Sequence, residues 1–218
     1  MDNLEQIAEQ LRSGFEAKNS ARDGGLAQSR ALIRHCANTI RAIHREEWPE
    51  AASGLETVRE AAAAMLNGIA NHPDIYQSGY VQDALKEVVE AFAIHALVRG
   101  EDLPTPESLN VSPEAYLNGL CEAASELRRT ILDIIRQDHS DEAERLLDAM
   151  DHIYNILMTF DYPDAITGGL RHRVDALRAV LERTRGDLTN SLRQQKLQVA
   201  LNQLEKRLGV ENPPATEG

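Results

Sequence analysis

The chain has 218 residues, 42% of them hydrophobic and only 4% aromatic, enough for one sizeable helical domain with a core of Leu, Ala, Ile and Val. Its formal charge of −12 excludes a generally basic nucleic-acid binder, because a uniformly negative surface repels phosphate. No apolar run approaches the roughly 18 residues that cross a bilayer, and the opening MDNLEQIAEQ lacks the plan of a secretion signal. The expectation is a soluble, cytoplasmic, membrane-free protein.

Helical periodicity runs nearly end to end, with no alternating strand and no internal repeat. A first helix is predicted from about Leu4 to Ala21, with Leu4, Ile7, Leu11 and Phe15 on one face, interrupted by Asp23-Gly24-Gly25. A second covers roughly Leu26 to Arg45. On it, Arg30, Arg34, Arg41 and Arg45 fall within about 60° of arc, and no acid lies between Gly24 and Arg45. Such a ridge is an electrostatic footprint for a phosphate backbone. It reads equally as a solvated face paired to acids of a neighbouring helix. The nineteen arginines against four lysines favour bidentate phosphate contacts, although GC-rich coding gives the same bias. His44 borders the ridge, within reach of the same phosphate.

Trp48-Pro49 opens a third helix, ending near Asn71-His72-Pro73, and the fourth stops at Gly100. The fourth contains KEVVEAFAIHALVRG, apolar on nearly every side. Val88, Phe92 and Leu85 make one face. Ile94, Leu97 and Val98 share the opposite stripe with Glu87 and Glu90, so something must cover these two carboxylates. Acids placed this way resist ionising unless a cation or an arginine neutralises them, and hard oxygen ligands suit Mg²⁺. His95 lies beside Val88 and reads as a hydrogen-bonded core histidine.

Ser112-Pro113-Glu114 combines an N-cap, a first-turn proline and an acid, and starts a fifth helix reaching about Arg136. Its apolar stripe is Tyr116, Leu120, Leu127, Ile131 and Ile134, which leaves Glu122, Glu126 and Arg129 on the far side, where Glu126 and Arg129 are spaced to pair. The loop Asp138-His139-Ser140-Asp141 reads as a linker with a helix cap. A sixth helix follows from Ser140 to about Phe160, and a last helical region from Asp164 to about Leu208, with a break expected near Gly186. There the basic cluster Arg171, His172, Arg173, Arg178, Arg183 and Arg185 is interleaved with Asp175 and Glu182 and reads as a solvated face. The expected architecture is all-α, a bundle of about seven helices forming a single domain over 1–208, with a disordered tail over 209–218. Cys36 and Cys121 sit inside helical patterns and are expected to be buried and reduced. There is no Gly-rich phosphate loop, nucleophile motif or zinc spacing.

The segment VSPEAYLNGLCEAASELRR resembles the signature of the translin and Trax family, a V-x-P-x-x-Y-L-x-G start leading into G/S-E-L-x-R. The matching residues are Val111, Pro113, Tyr116, Leu117, Gly119, Ser125, Glu126, Leu127 and Arg129. The resemblance extends through IRAIHRE and FDYPDAITGGLRHRVDALRAVLERTRGDL and weakens over the first twenty residues and after about Asp187. It implies a translin-type fold assembled into a closed shell of eight subunits that binds single-stranded RNA or DNA. In Trax-type subunits it further implies RNA cleavage by three acids and a divalent metal. Glu87 and Glu90 match the E-x-x-E pair, and Glu122 occupies the third place, where Trax typically has Asp. The resemblance therefore implies Glu87, Glu90 and Glu122 as catalytic metal ligands for Mg²⁺, with Mn²⁺ as an alternative. Glu126 would support them, and Arg129 with the arginine ridge would position the strand. The expected function is a metal-dependent endoribonuclease acting as a homo-oligomer, the alternative a non-catalytic single-strand-binding shell.

Overall fold

A computed structural model describes residues 3–137 and 141–208. Among them there is no strand, and the helices run α1 Leu4–His44, α2 Trp48–Ile69, α3 Pro73–Tyr76, α4 Gly79–Arg99, α5 Pro106–Leu109, α6 Pro113–Gln137, α7 Asp141–Leu157, α8 Asp164–Thr167 and α9 Leu170–Leu208. The all-α expectation holds. The tail 209–218 and the loop around Asp138, His139 and Ser140 lie outside the described residues.

Two expected breaks are absent. The first two predicted helices are one helix of 41 residues that passes straight through Gly24 and Gly25. Glycine in a helix interior costs about 1 kcal/mol relative to alanine, and here packing outweighs that cost. Gly25 is buried, and a Cβ there would lie 3.1 Å from Ile69 Cγ2 at the end of α2. Likewise α9 continues through Gly186, because Leu181, Thr184 and Leu188 on either side of it are buried and hold the helix to the bundle.

The apolar side chains form two connected clusters. One gathers Ile94, Leu127, Ile131, Leu146, Met150 and Leu177 from α4, α6, α7 and α9. The other gathers Leu32, Cys36, Val58, Met65, Leu85 and Val88 from α1, α2 and α4. Helix α4 contributes to both, which explains its lack of a solvated face: it packs against α1, α2, α6 and α7. Leu97 and Val98, on the acidic stripe, are partly buried against the first cluster, as the all-round apolar pattern required. Beyond the bundle, the first turns of α1 and the last turns of α9 leave Leu11, Phe15, Leu197 and Leu204 exposed.

The crossing of α4 and α6 sets the functional geometry. Ser112 Oγ accepts from the Ala115 amide at 3.3 Å, the cap expected from the sequence, and also donates to Gln82 Oε1 on α4 at 3.0 Å. The Tyr116 hydroxyl donates to the Pro104 carbonyl at 2.8 Å and fixes the incoming loop. At Gly119 the helices approach so closely that a Cβ would lie 2.5 Å from the Lys86 carbonyl and 2.6 Å from Val89 Cβ. The YLNG part of the motif is thus a contact surface: tyrosine anchors the start of α6 and glycine admits α4.

Candidate metal and nucleic-acid site

One turn beyond Gly119, Glu122 points back toward α4. Glu87, Glu90 and Glu122 each bring one carboxylate oxygen within 4.8 Å of the others. Opposite ligands of a Mg²⁺ ion at about 2.1 Å lie about 4.2 Å apart, so small side-chain adjustments close the set. All three are half-buried. A cluster of hard oxygen donors drawn from two helices fits a divalent cation in both chemistry and spacing.

Crowding perturbs these acids. Burial, then the charges of Glu87, Glu122 and Glu126, push Glu90 up to about 8, against the opposing pull of Lys86. Glu87 is also raised, by burial first and by Glu122, while Lys86 pulls it down. The same negative field reaches Cys36 on α1, whose thiol is pushed far up by burial and then by Glu87 and Glu90. Cys121 is pushed up to about 12 by burial and Glu122. Both cysteines are free and buried, as expected.

Two cations that the sequence reading did not assign to the site complete it. The Lys86 ammonium lies 2.8 Å from Glu122 Oε1, 2.6 Å from Glu122 Oε2 and 3.4 Å from Glu87 Oε1. Burial pulls its pKa down, but the hydrogen bond and charge of Glu122, with Glu87, leave it raised. Arg173 donates from Nε to Glu122 Oε1 at 3.1 Å, and from Nη1 to Asn118 Oδ1 at 3.2 Å and the Gly168 carbonyl at 2.9 Å. Asn118 is buried and donates to the Thr167 and Glu114 carbonyls, both at 2.7 Å. Gly168 and Gly169 have φ of +62° and +82°, the left-handed turn that leads α8 into α9. The sequence pattern places Arg173 in a solvated cluster, whereas in the structure it is half-buried against Glu122. The surrounding acids of α9 masked it. Lys86 had a signal in its spacing, i and i+4 from Glu90, in a chain with few lysines.

Glu126 does not pair with Arg129. Its Oε1 lies 2.8 Å from His44 Nε2, whose other nitrogen is 3.4 Å from Thr130 Oγ1, and only 2% of the His44 side chain is exposed. The i, i+3 spacing was compatible with the Arg129 pair, but α1 covers this side of α6. His44 instead joins α1 to the acidic face. His95 is partly buried, 3.6 Å from Glu101 Oε2 and edge-on to Trp48, in keeping with a structural role.

At about 100° per residue around α1, His44 lies between the buried stripe of Cys36 and the arginines, so the ridge borders the acidic face. Arg30, Arg34, Arg41 and Arg129 are exposed and, among the described residues, form no ion pair with a neighbouring helix. Arg45 lies 4.0 Å from Glu47. A cleft of about 510 Å³ beside the ridge is lined by His44, Arg45, Thr130, Asp133 and Arg136.

No family model matches the chain. An uncharacterized protein of Methanocaldococcus jannaschii is 31% identical over 213 residues, spanning 97% of this chain and 92% of that protein. The crystal structure of AfC3PO superimposes with a TM-score of 0.78 at 32% identity, covering 85% of this chain and 96% of that one. The AfC3PO–duplex RNA complex gives 0.74 at 31% identity with the same coverage. Apo-NeC3PO, at 19% identity, TM-score 0.73 and coverage of 88% and 98%, shares the fold. Among the described residues no helix is long and apolar enough to cross a membrane. With the Val111–Arg129 motif built into the α4–α6 crossing and these relatives matched over most of their length, the chain belongs to the translin/Trax family.

Proposed function

We propose that this protein binds RNA and cleaves single strands by metal-dependent phosphodiester hydrolysis, as a cytoplasmic homo-oligomeric shell, with eight subunits the expected number. The observation that carries the reading is the convergence of Glu87, Glu90 and Glu122 within 4.8 Å from two helices. These residues would hold Mg²⁺, or Mn²⁺. Such an ion, when bound, polarises a scissile phosphate and lowers the pKa of an attacking water.

The chain's own groups divide the remaining work. Glu90, pushed up to about 8 by burial and its acidic neighbours, would have to release its proton to water to serve as a cation ligand. Arg173 orients the Glu122 carboxylate, so the extra methylene relative to the usual Asp is taken up in a fixed direction. His44 and Thr130 hold the Glu126 side chain beside the cluster. The exposed Arg30, Arg34, Arg41, Arg45 and Arg129 supply phosphate contacts that position the strand. Assembly is supported by the apolar side chains at the ends of α1 and α9, Phe15 at 69% exposure and Leu204 at 51%, which find no cover among the described residues.

A second reading, a non-catalytic shell binding single-stranded RNA or DNA, draws on Lys86 and Arg173, which already neutralise Glu122. Labelled single-stranded and duplex RNA, incubated with Mg²⁺ or with EDTA, separate the two. Duplex is included because AfC3PO is known in a duplex RNA complex. Cleavage only with Mg²⁺, abolished in Glu87→Ala and Glu122→Ala while binding survives, supports the nuclease. Binding without cleavage supports the shell alone.

A further inference from the structure

Lys86 has an arrangement that Arg173 lacks. The Arg173 guanidinium is fixed on three sides, by Glu122, Asn118 and the Gly168 carbonyl. Among the described residues, the Lys86 ammonium has no hydrogen-bond or ion-pair partner besides the carboxylates of Glu87 and Glu122. It spans both oxygens of Glu122, at 2.8 and 2.6 Å, and only 13% of its side chain is exposed. A divalent cation taking oxygens from Glu87, Glu90 and Glu122 would sit within a few ångströms of that ammonium. The two charges compete for the same carboxylate edge. Among the described residues nothing but the acids retains Lys86, and its four-carbon stem gives it reach. Its backbone is fixed where the Lys86 carbonyl abuts Gly119, so only the side chain is free to leave.

We propose that Lys86 is a tethered counter-ion that occupies the acid cluster of the cation-free protein and is displaced outward when a divalent cation enters, so that it sets the affinity of the site. The inference rests on the metal-binding reading of Glu87, Glu90 and Glu122. Arg173 stays in place and keeps Glu122 aimed at the cluster. Lysine at this position raises the cation concentration at which the site fills, and it neutralises acids that would otherwise repel one another in the empty state.

Two measurements on the full-length protein test this. In the first, Mn²⁺ binding is followed by the loss of the free-ion paramagnetic resonance signal for wild type, Lys86→Gln and Glu122→Gln. The expected result is saturable binding by wild type, binding by Lys86→Gln at least about tenfold tighter because a unit charge at contact distance is removed, and loss of binding in Glu122→Gln. The second is pulsed acylation of wild type with and without Mn²⁺, read by mass spectrometry at each of the four lysines. Lys86 should label slowly without Mn²⁺ and several-fold faster with it, while the exposed Lys196 and Lys206 do not change. Glu122-dependent Mn²⁺ binding with an unchanged Lys86 labelling rate overturns the counter-ion role and leaves the metal site standing. Absence of Mn²⁺ binding in wild type and Lys86→Gln alike defeats both. The labelling arm decides by itself if Lys86→Gln does not fold.

Discussion

Replacing Glu90 by glutamine removes the most perturbed ionisation of the acid cluster while keeping the shape of the side chain. In the folded, cation-free protein Glu90 titrates at about 8, against 4.5 for an ordinary glutamate. A raised carboxyl pKa means that the folded state holds a proton the unfolded state has released. Stability is therefore unaffected below about pH 4.5 and declines between there and pH 8 by about 1.4 kcal/mol per pH unit. At pH 7 the displacement corresponds to roughly 3 kcal/mol, an upper limit because Glu90 is half-buried and water screens part of the repulsion. Glutamine carries no such penalty. In EDTA, urea unfolding of Glu90→Gln and wild type should coincide near pH 4.5. The variant should then gain steadily, reaching about 2–3 kcal/mol at pH 7 and levelling off above pH 8. Adding Mg²⁺ should stabilise wild type and narrow the gap, because a bound cation favours the ionised carboxylate. A difference independent of pH, or a variant less stable than wild type at pH 8, would refute the assignment of a buried, mutually repelling cluster.

Gly119→Ala places a Cβ 2.5 Å from the Lys86 carbonyl, so α4 must retreat by nearly 1 Å to restore ordinary contact at 3.4 Å. Such overpacking costs about 1–3 kcal/mol, visible in urea unfolding, and should weaken Mn²⁺ binding by spreading the acids. His44→Ala removes a buried side chain and leaves Glu126 without its partner, a destabilisation of about 1–3 kcal/mol, measured the same way. Arg34→Glu with Arg41→Glu should leave the melting temperature unchanged, since neither arginine has an ion-pair partner among the described residues. RNA affinity should fall, and the salt dependence of binding should decrease by about 0.7 in slope for each phosphate that is no longer neutralised.

The legible parts of the sequence were those in which local pattern and tertiary demand agree. The helix starts at Trp48-Pro49 and Ser112-Pro113, the stop at Gly100 and the all-round burial of α4 follow from capping chemistry and periodicity, and the structure has each of them. The spacing of Glu87 and Glu90 on an otherwise covered stripe pointed to a partner, and α6 supplies it. What local pattern did not disclose depends on packing between distant helices. Gly24-Gly25 resembles a breaker until Ile69 is packed against it, and Gly186 does so until its buried neighbours are considered. Arg173 lies 51 residues from Glu122, among acids that offered it nearer partners. Glu126 had Arg129 within reach along its own helix, and took His44 from α1, 82 residues away, because burial rewards the covered pair over the solvated one.

The central claim, that acids from α4 and α6 grip one divalent cation, is tested most directly by anomalous diffraction from crystals soaked in Mn²⁺. A single anomalous peak between Glu87, Glu90 and Glu122, with oxygens at about 2.1–2.2 Å, is the predicted result. Carboxylates still clasped by Lys86 at saturating Mn²⁺, with no peak among them, would contradict it.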